Sequence, residues 1–334
     1  MVVSEETTPA PTERKMISTM TRFVSAILAA SLLVGASAHA QEDDLRFIMV
    51  THGAASNAFW AVVKDGAERA AEEMGVDLEY RAPETFDLDK MASLVMAAVK
   101  DAPDGLIVSI PNADALAGPM RAAVDAGIPL ISINSGFDVG RSLGALLHVG
   151  QGEYEAGRVA GEAMRNLAGT KALCLNHELG NVALDLRCKG FIDGFAGSVE
   201  VMPVPFDAEQ AGEAIAARLA EDDQIDVILA LSASIAGEPA VAAVRKLEGR
   251  TVHVATFDIT DTILKAVADG AASFAIDQQP FLQGYLPVQF LTILHRHSVI
   301  PVSNVSTGPR LVTEAAAKRR LAARAAAQTE GETK

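Results

Sequence analysis

Cysteine is almost missing from this chain of 334 residues: only Cys174 and Cys188 occur, and they form no CxxC pair. With no HxxxH spacing either, a metal site has no ligand pattern to rest on. There is no HExxH helix, no P-loop, no GxSxG elbow at a strand-to-helix turn, and no acid and base paired at motif-like spacing, which argues against an enzyme. Basic residues are outnumbered, 28 Lys and Arg against 43 Asp and Glu. At a net charge of −15, with no basic patch in the folded region, a nucleic-acid partner is excluded. No apolar run beyond residue 40 approaches membrane-spanning length. Tryptophan occurs once, at Trp60.

What is present is ordinary for a folded protein: 49% hydrophobic and 21% charged residues, enough for a sizeable core. The length favours two domains of about 130–150 residues each. Residues 1–40 stand apart as a leader. Met16 and Met20 are both possible starts, Arg22 gives a positive region, residues 23–34 are apolar, and Ala38-His39-Ala40 offers a cleavage site. Export to the periplasm is expected, with a mature chain from Gln41. No cysteine follows the cleavage site, so no lipid anchor is indicated there.

The organising stretch is 47–66. Phe47 to Val50 is a short apolar run, residues 51–57 are small and polar, and Phe59, Val62, Val63 and Ala67 recur at helical spacing. Strand, loop and helix in that order put Asn57, Phe59 and Trp60 at the carboxyl end of a strand, where open α/β sheets bind ligands. An amide beside two aromatic faces suits a sugar, which has hydroxyls on its edge and C–H on its face. The plainer alternative is that both aromatics are core.

A unit of apolar run plus amphipathic helix then repeats every 25–30 residues, as parallel βαβ folds require. Strands are predicted at 45–51, 76–81, 105–110, 129–134, 145–149, 171–176, 199–204, 226–231, 253–257 and 273–276. Helices are predicted at 57–74, 87–100, 113–126, 153–167, 184–195, 208–220, 237–247, 260–268 and 283–294, with a final extended piece at 305–312. Two similar runs imply two Rossmann-like lobes with parallel sheets rather than a closed barrel. Residues 315–334, Ala-rich with Lys318, Arg319, Arg320 and Arg324, read as a frayed surface helix and basic tail; a partner-binding tail is the alternative. Cys174 lies in a strand-like run and Cys188 in the first turn of a helix, so a disulfide is expected, two inert buried thiols being the alternative.

Several short strings, in their order and spacing, carry a resemblance: 56–60 (SNAFW), 64–66 (KDG), 103–107 (PDGLI), 127–129 (GIP), 154–157 (YEAG), 187–191 (RCKGF), 256–258 (TFD) and 276–280 (IDQQP). From about residue 45 to about residue 312 the chain resembles the ribose/galactose-type periplasmic solute-binding proteins of carbohydrate ABC importers. The resemblance implies type I periplasmic binding protein architecture: two lobes joined by a three-stranded hinge, closing over a ligand. The expected first lobe is 41–150 plus 279–306 and the second 151–278 plus 307–314, with hinges near 150–153, 277–280 and 305–308.

Carried over, the ligand-contacting positions fall on Asn57, Phe59, Trp60, Asn134, Ser135, Arg187, Phe206, Ser232, Asp258 and Gln278. His52 and His177 rank lower, with Asn176, Glu178 and Asn181. Arg187 offers a planar array of donors and Asp258 two acceptors, a pair able to satisfy adjacent hydroxyls. The plainer alternative for Arg187 is an ion pair with Asp185 or Asp193. Asn134-Ser135 stands where many relatives have an Asp-Arg pair, and Ser232 where Asn or Asp is usual. Those departures point away from ribose towards another pentose, a hexose, a linear polyol or an inositol-like ring. The implied role is ligand capture, as a monomer, for a membrane permease, without a cofactor. The alternative is presentation of a sugar or autoinducer to a chemoreceptor or sensor kinase.

Overall fold

The computed structural model describes residues 45–53 and 57–331, with side chains to residue 326. The leader read over residues 1–40 and the Ser56 of the first string lie outside the described residues.

Two six-stranded sheets form the frame. The first has the order β11-β5-β4-β3-β1-β2, built from β1 (Arg46–Val50), β2 (Asp77–Arg81), β3 (Gly105–Ser109), β4 (Leu130–Ile133), β5 (His148–Gln151) and β11 (Val305–Gly308). The second has the order β12-β10-β9-β8-β6-β7, from β6 (Lys171–Asn176), β7 (Ser198–Pro203), β8 (Val227–Ala230), β9 (His253–Phe257), β10 (Phe274–Asp277) and β12 (Arg310–Val312). Every pairing is parallel except β10 with β12. Central strands such as β3 and β8 are wholly apolar or small because helices cover both their faces.

The covering helices are α1 (Ala58–Met74), α2 (Leu88–Lys100), α3 (Ala113–Asp125) and α9 (Pro280–His297) on the first sheet. On the second they are α4 (Glu153–Arg165), α5 (Val182–Phe195), α6 (Ala208–Glu221), α7 (Glu238–Val244), α8 (Asp261–Ala268) and α10 (Glu314–Gly331). Short polar residues start them: Asn57, Asp87, Asn112, Asn181, Asp207 and Thr260 each accept a backbone N–H of the first turn. Each sheet therefore has two apolar layers, one per face.

Two helix pairs approach backbone to backbone. A Cβ on Gly66 of α1 would come within 2.2 Å of the Phe281 carbonyl of α9, and one on Gly190 of α5 within 1.9 Å of the Tyr154 carbonyl of α4. Gly284 and Gly157 meet the opposite helices in the same way. No other residue fits there.

The chain passes between the sheets three times: from β5 into α4, from β10 into α9, and from β11 into β12. The expected extended piece at 305–312 is thus two strands in different sheets. The fifth strand starts later than expected, at His148, and α9 runs longer than 283–294 because Pro280 is tolerated in its first turn. Cys174 and Cys188 are joined in a disulfide that ties β6 to α5.

The tail departs from its reading. Ala317 of α10 is fully buried, Ala316 and Leu321 pack on the second lobe's core, and Arg320 donates to Asp277 at 2.7 Å. Lys318 and Arg324 pair with Glu314 and Asp261. A small-residue stripe brings this helix close enough to dock, so its start is neither frayed nor a free basic surface.

Candidate functional site

The carboxyl ends of β1, β4, β6, β8, β9 and β10 converge between the sheets on a cavity with about 360 Å³ of empty volume. From the first lobe it is lined by His52, Asn57, Phe59, Trp60 and Asn134. From the second come His177, Glu178, Leu184, Arg187, Ser232 and Asp258, with Leu231 behind them and Gln278 at the crossing after β10.

The aromatic wall is built from the start of α1. Trp60 stands edge-on to Phe59 and to His52, with ring centroids 5.0 and 4.8 Å away. It is also 4% exposed and part of the first lobe's core, so it lines the cavity and packs the core at once. Gly53 is required opposite it, since a Cβ there would fall 2.0 Å from the indole nitrogen. Asn57 spends its side-chain oxygen capping α1 through the Phe59 N–H, which leaves its NH₂ for a ligand.

The opposite wall is ionic. Arg187 is 3% exposed and donates from Nε and Nη2 to the two oxygens of Glu153, at 2.6 and 3.0 Å. Its guanidinium lies 4.3 Å from the centre of the Phe257 ring. The expected surface partners Asp185 and Asp193 are not involved: Asp185 accepts from Asn176 and Asp193 from Tyr154 and Lys189. Residual donors of Arg187 reach the Leu231 carbonyl and Gln278, both at 3.4 Å.

Two lining residues hold left-handed backbone angles, Asn134 at φ 56° and Asp258 at φ 70°, a conformation that Asn and Asp adopt more readily than other non-glycine residues. Asn134 donates to Gln278 and Gln283, and Gln278 donates to Asp258 at 2.6 Å, so a chain of amides crosses the floor of the cavity. Burial pushes the Asp258 carboxyl up to about 6, against the opposing pull of Arg187. Burial pushes Glu178 up to about 7, and its bond from Asn181 at 2.7 Å offsets only part of that.

Asn181 joins the lobes. Its oxygen caps α5 and accepts from Ser135, fixing its NH₂ to donate to Glu178 and to His52 Nε2 at 3.2 Å. His52 must then carry its proton on Nδ1 and donate to Ser109, 2.8 Å away. Burial lowers His52 and His177 to about 3, so both rings are neutral at pH 7. The Val182 N–H also crosses between lobes to the Pro111 carbonyl at 2.9 Å.

Eight of the ten first-rank positions line the cavity. Ser135 instead makes the interlobe bond, and Phe206 sits at the rim, 43% exposed, with its ring 6.1 Å from His177. Phe206 follows β7, an edge strand of its sheet. Sequence reasoning missed Glu153, known only as a hinge neighbour, and placed Glu178 too low. The string Gly140–Gly144 (GRSLG) does fit GxSxG, but it forms a 3₁₀ turn over Arg141–Leu143 in which Ser142 is exposed and donates to the Val139 carbonyl. It is no nucleophile elbow.

Comparison with known proteins gives a consistent picture. Residues 47–295 match the sequence model of the periplasmic binding protein domain. A ribose import binding protein of Haemophilus influenzae is 27% identical over 277 residues, 80% of this chain and 90% of the relative. A xylose/arabinose-binding protein of Sulfolobus acidocaldarius is 23% identical over 286 residues, 80% of this chain and 71% of the relative. Among solved structures, a carbohydrate transporter from Acidothermus cellulolyticus in complex with myo-inositol shares 33% identity at a TM-score of 0.78, covering 82% of this chain and 96% of that one.

Proposed function

The chain belongs to the periplasmic binding protein family, and on that footing we propose that it captures a small sugar or polyol between its lobes for a membrane permease of an ABC importer. The observation that carries this reading is a cavity shared by both lobes, with Phe59 and Trp60 on one wall and fixed donors and acceptors on the other. Aromatic faces cover C–H groups and exclude water, while Arg187, Asn57, Ser232 and Asp258 bond to hydroxyls in a low dielectric. A ligand touching both walls binds only the closed arrangement and so shifts the population towards it.

Binding, rather than chemistry, suits the way these groups are tied. Arg187 is held by Glu153, and His52 is fixed between Ser109 and Asn181, which leaves neither free to move a proton. The protein acts as a monomer in the periplasm. Calorimetry and thermal melts of ligand-stripped protein against pentoses, hexoses, alditols and inositols test the reading. Heat and a raised Tm are expected with at least one class; silence across the panel overturns it.

A further inference from the structure

The carboxylates on the cavity outnumber its cations. Among the described residues Arg187 is the one Lys or Arg in the lining, and its charge is already met by the bidentate contact with Glu153. Glu178 and Asp258 then face the same space with neutral hydrogen-bond partners, Asn181 and Gln278, and Arg187 acts on both only through space. The imidazoles 3.7 and 3.9 Å from Glu178, those of His52 and His177, are neutral at pH 7. Among the described residues no group of three His, Cys, Asp or Glu is arranged to hold a metal ion.

A second observation is independent of the charge count. The side chain of His177 is only 7% exposed and lines this cavity, yet its Nδ1 has no hydrogen-bond partner. If Nε2–H faces the Glu178 carboxylate, Nδ1 is an unused acceptor. The cavity therefore offers acceptors in excess on the second lobe's wall, where a neutral polyol would bring as many acceptors as donors.

We propose that the ligand carries a protonated amine on its sugar or polyol frame, received by Glu178 with His177 beside it. This deepens the polyol reading above and rests on it. An ammonium group has three donors and no acceptor, which fits a carboxylate next to an unfilled imidazole nitrogen. Asp258, near Arg187 and Gln278, takes the hydroxyls of the same frame. The high positions of Glu178 and Asp258 come from burial with too little opposing charge, which a cationic group in the cavity would relieve.

Matched pairs test the proposal by calorimetry at about pH 7.4, where Glu178 and the amines of the pairs are both mostly in their charged forms. Suitable pairs are glucosamine with glucose, galactosamine with galactose, an aminodeoxyalditol with its alditol, and an aminodeoxyinositol with inositol. At least one amine should bind about tenfold or more tightly than its hydroxyl parent. Glu178→Gln should shrink that ratio by about tenfold, and more than Asp258→Asn does. A hydroxyl parent that binds as well as its amine overturns the proposal and leaves the polyol reading standing. That wild-type comparison decides even if a variant fails to fold. Binding by neither member of any pair overturns the proposal, and the polyol reading falls with it only if the pentoses of the wider panel are silent too.

Discussion

The two lobes put like residues in like places and use them differently. β1 and β6 occupy the same position in their sheets, and each is followed by a histidine, His52 or His177, then by an asparagine-capped helix. The packing glycines Gly66 and Gly190 lie nine residues beyond the caps Asn57 and Asn181. By the same count Trp60 corresponds to Leu184 and Val63 to Arg187. β4 and β9 correspond too, and end in the left-handed residues Asn134 and Asp258. One lobe has filled these places with apolar or satisfied groups, the other with charge and a histidine short of one bond. A common backbone plan thus supplies a water-excluding wall on one side and recognition chemistry on the other.

The sharpest way to break this contrast is at Arg187 and its counterpart. Arg187→Met strands a buried carboxylate on Glu153 and should cost about 3–5 kcal/mol of stability, read by denaturant unfolding. Adding Glu153→Gln should restore most of the stability but not ligand binding, which separates charge balance from recognition. At the glycines the lobes should behave alike: Gly66→Ala and Gly190→Ala each force a backbone shift worth about 3 kcal/mol. A large difference between them would undo the equivalence of the helix pairs.

Glu178 gives a smaller effect with a definite sign. Its carboxyl releases its proton near 4.5 when unfolded but is held up to about 7 when folded. Below 4.5 both states are protonated; between 4.5 and 7 only the unfolded state loses the proton, so stability falls as pH rises and levels off above 7. Unliganded wild type should lose up to about 3 kcal/mol relative to Glu178→Gln across that window, measured by melts in a pH series. His52, His177, Arg187 and Asp258, which surround the group, are present in both proteins and largely cancel. Last, His52→Leu should cost about 1–2 kcal/mol of stability by orphaning Ser109 and Asn181. His177→Leu should leave stability nearly unchanged while lowering ligand affinity by about 1 kcal/mol, seen as a change in Kd.

Most of the fold was legible because its signals are local. Apolar runs such as Leu106 to Val108 mark buried strands, and Asn57, Asp87 and Asn181 mark helix starts. Positions such as Asn57, Asp258 and Gln278 were legible through the resemblance, since each ends a strand or begins a helix. Glu153 was not, because its partner lies 34 residues away on a neighbouring helix and nothing local announces the pairing. Glu178 could have been raised by aligning the two halves of the chain, which sets His177 against His52. That Phe206 follows an edge strand was not legible, because edge position is a property of sheet order, and strand order is not written in periodicity.

The backbone contacts at Gly66 with Phe281 and Gly190 with Tyr154 leave neither half of the molecule a soft interior. Each half is expected to move as a stiff plate, with any swing between them concentrated in the few residues that step from one to the other. Two fluorescent labels, one per plate, would then report a single angle with little internal give. With ligand-dependent closure as proposed, that angle would be an optical gauge of occupancy.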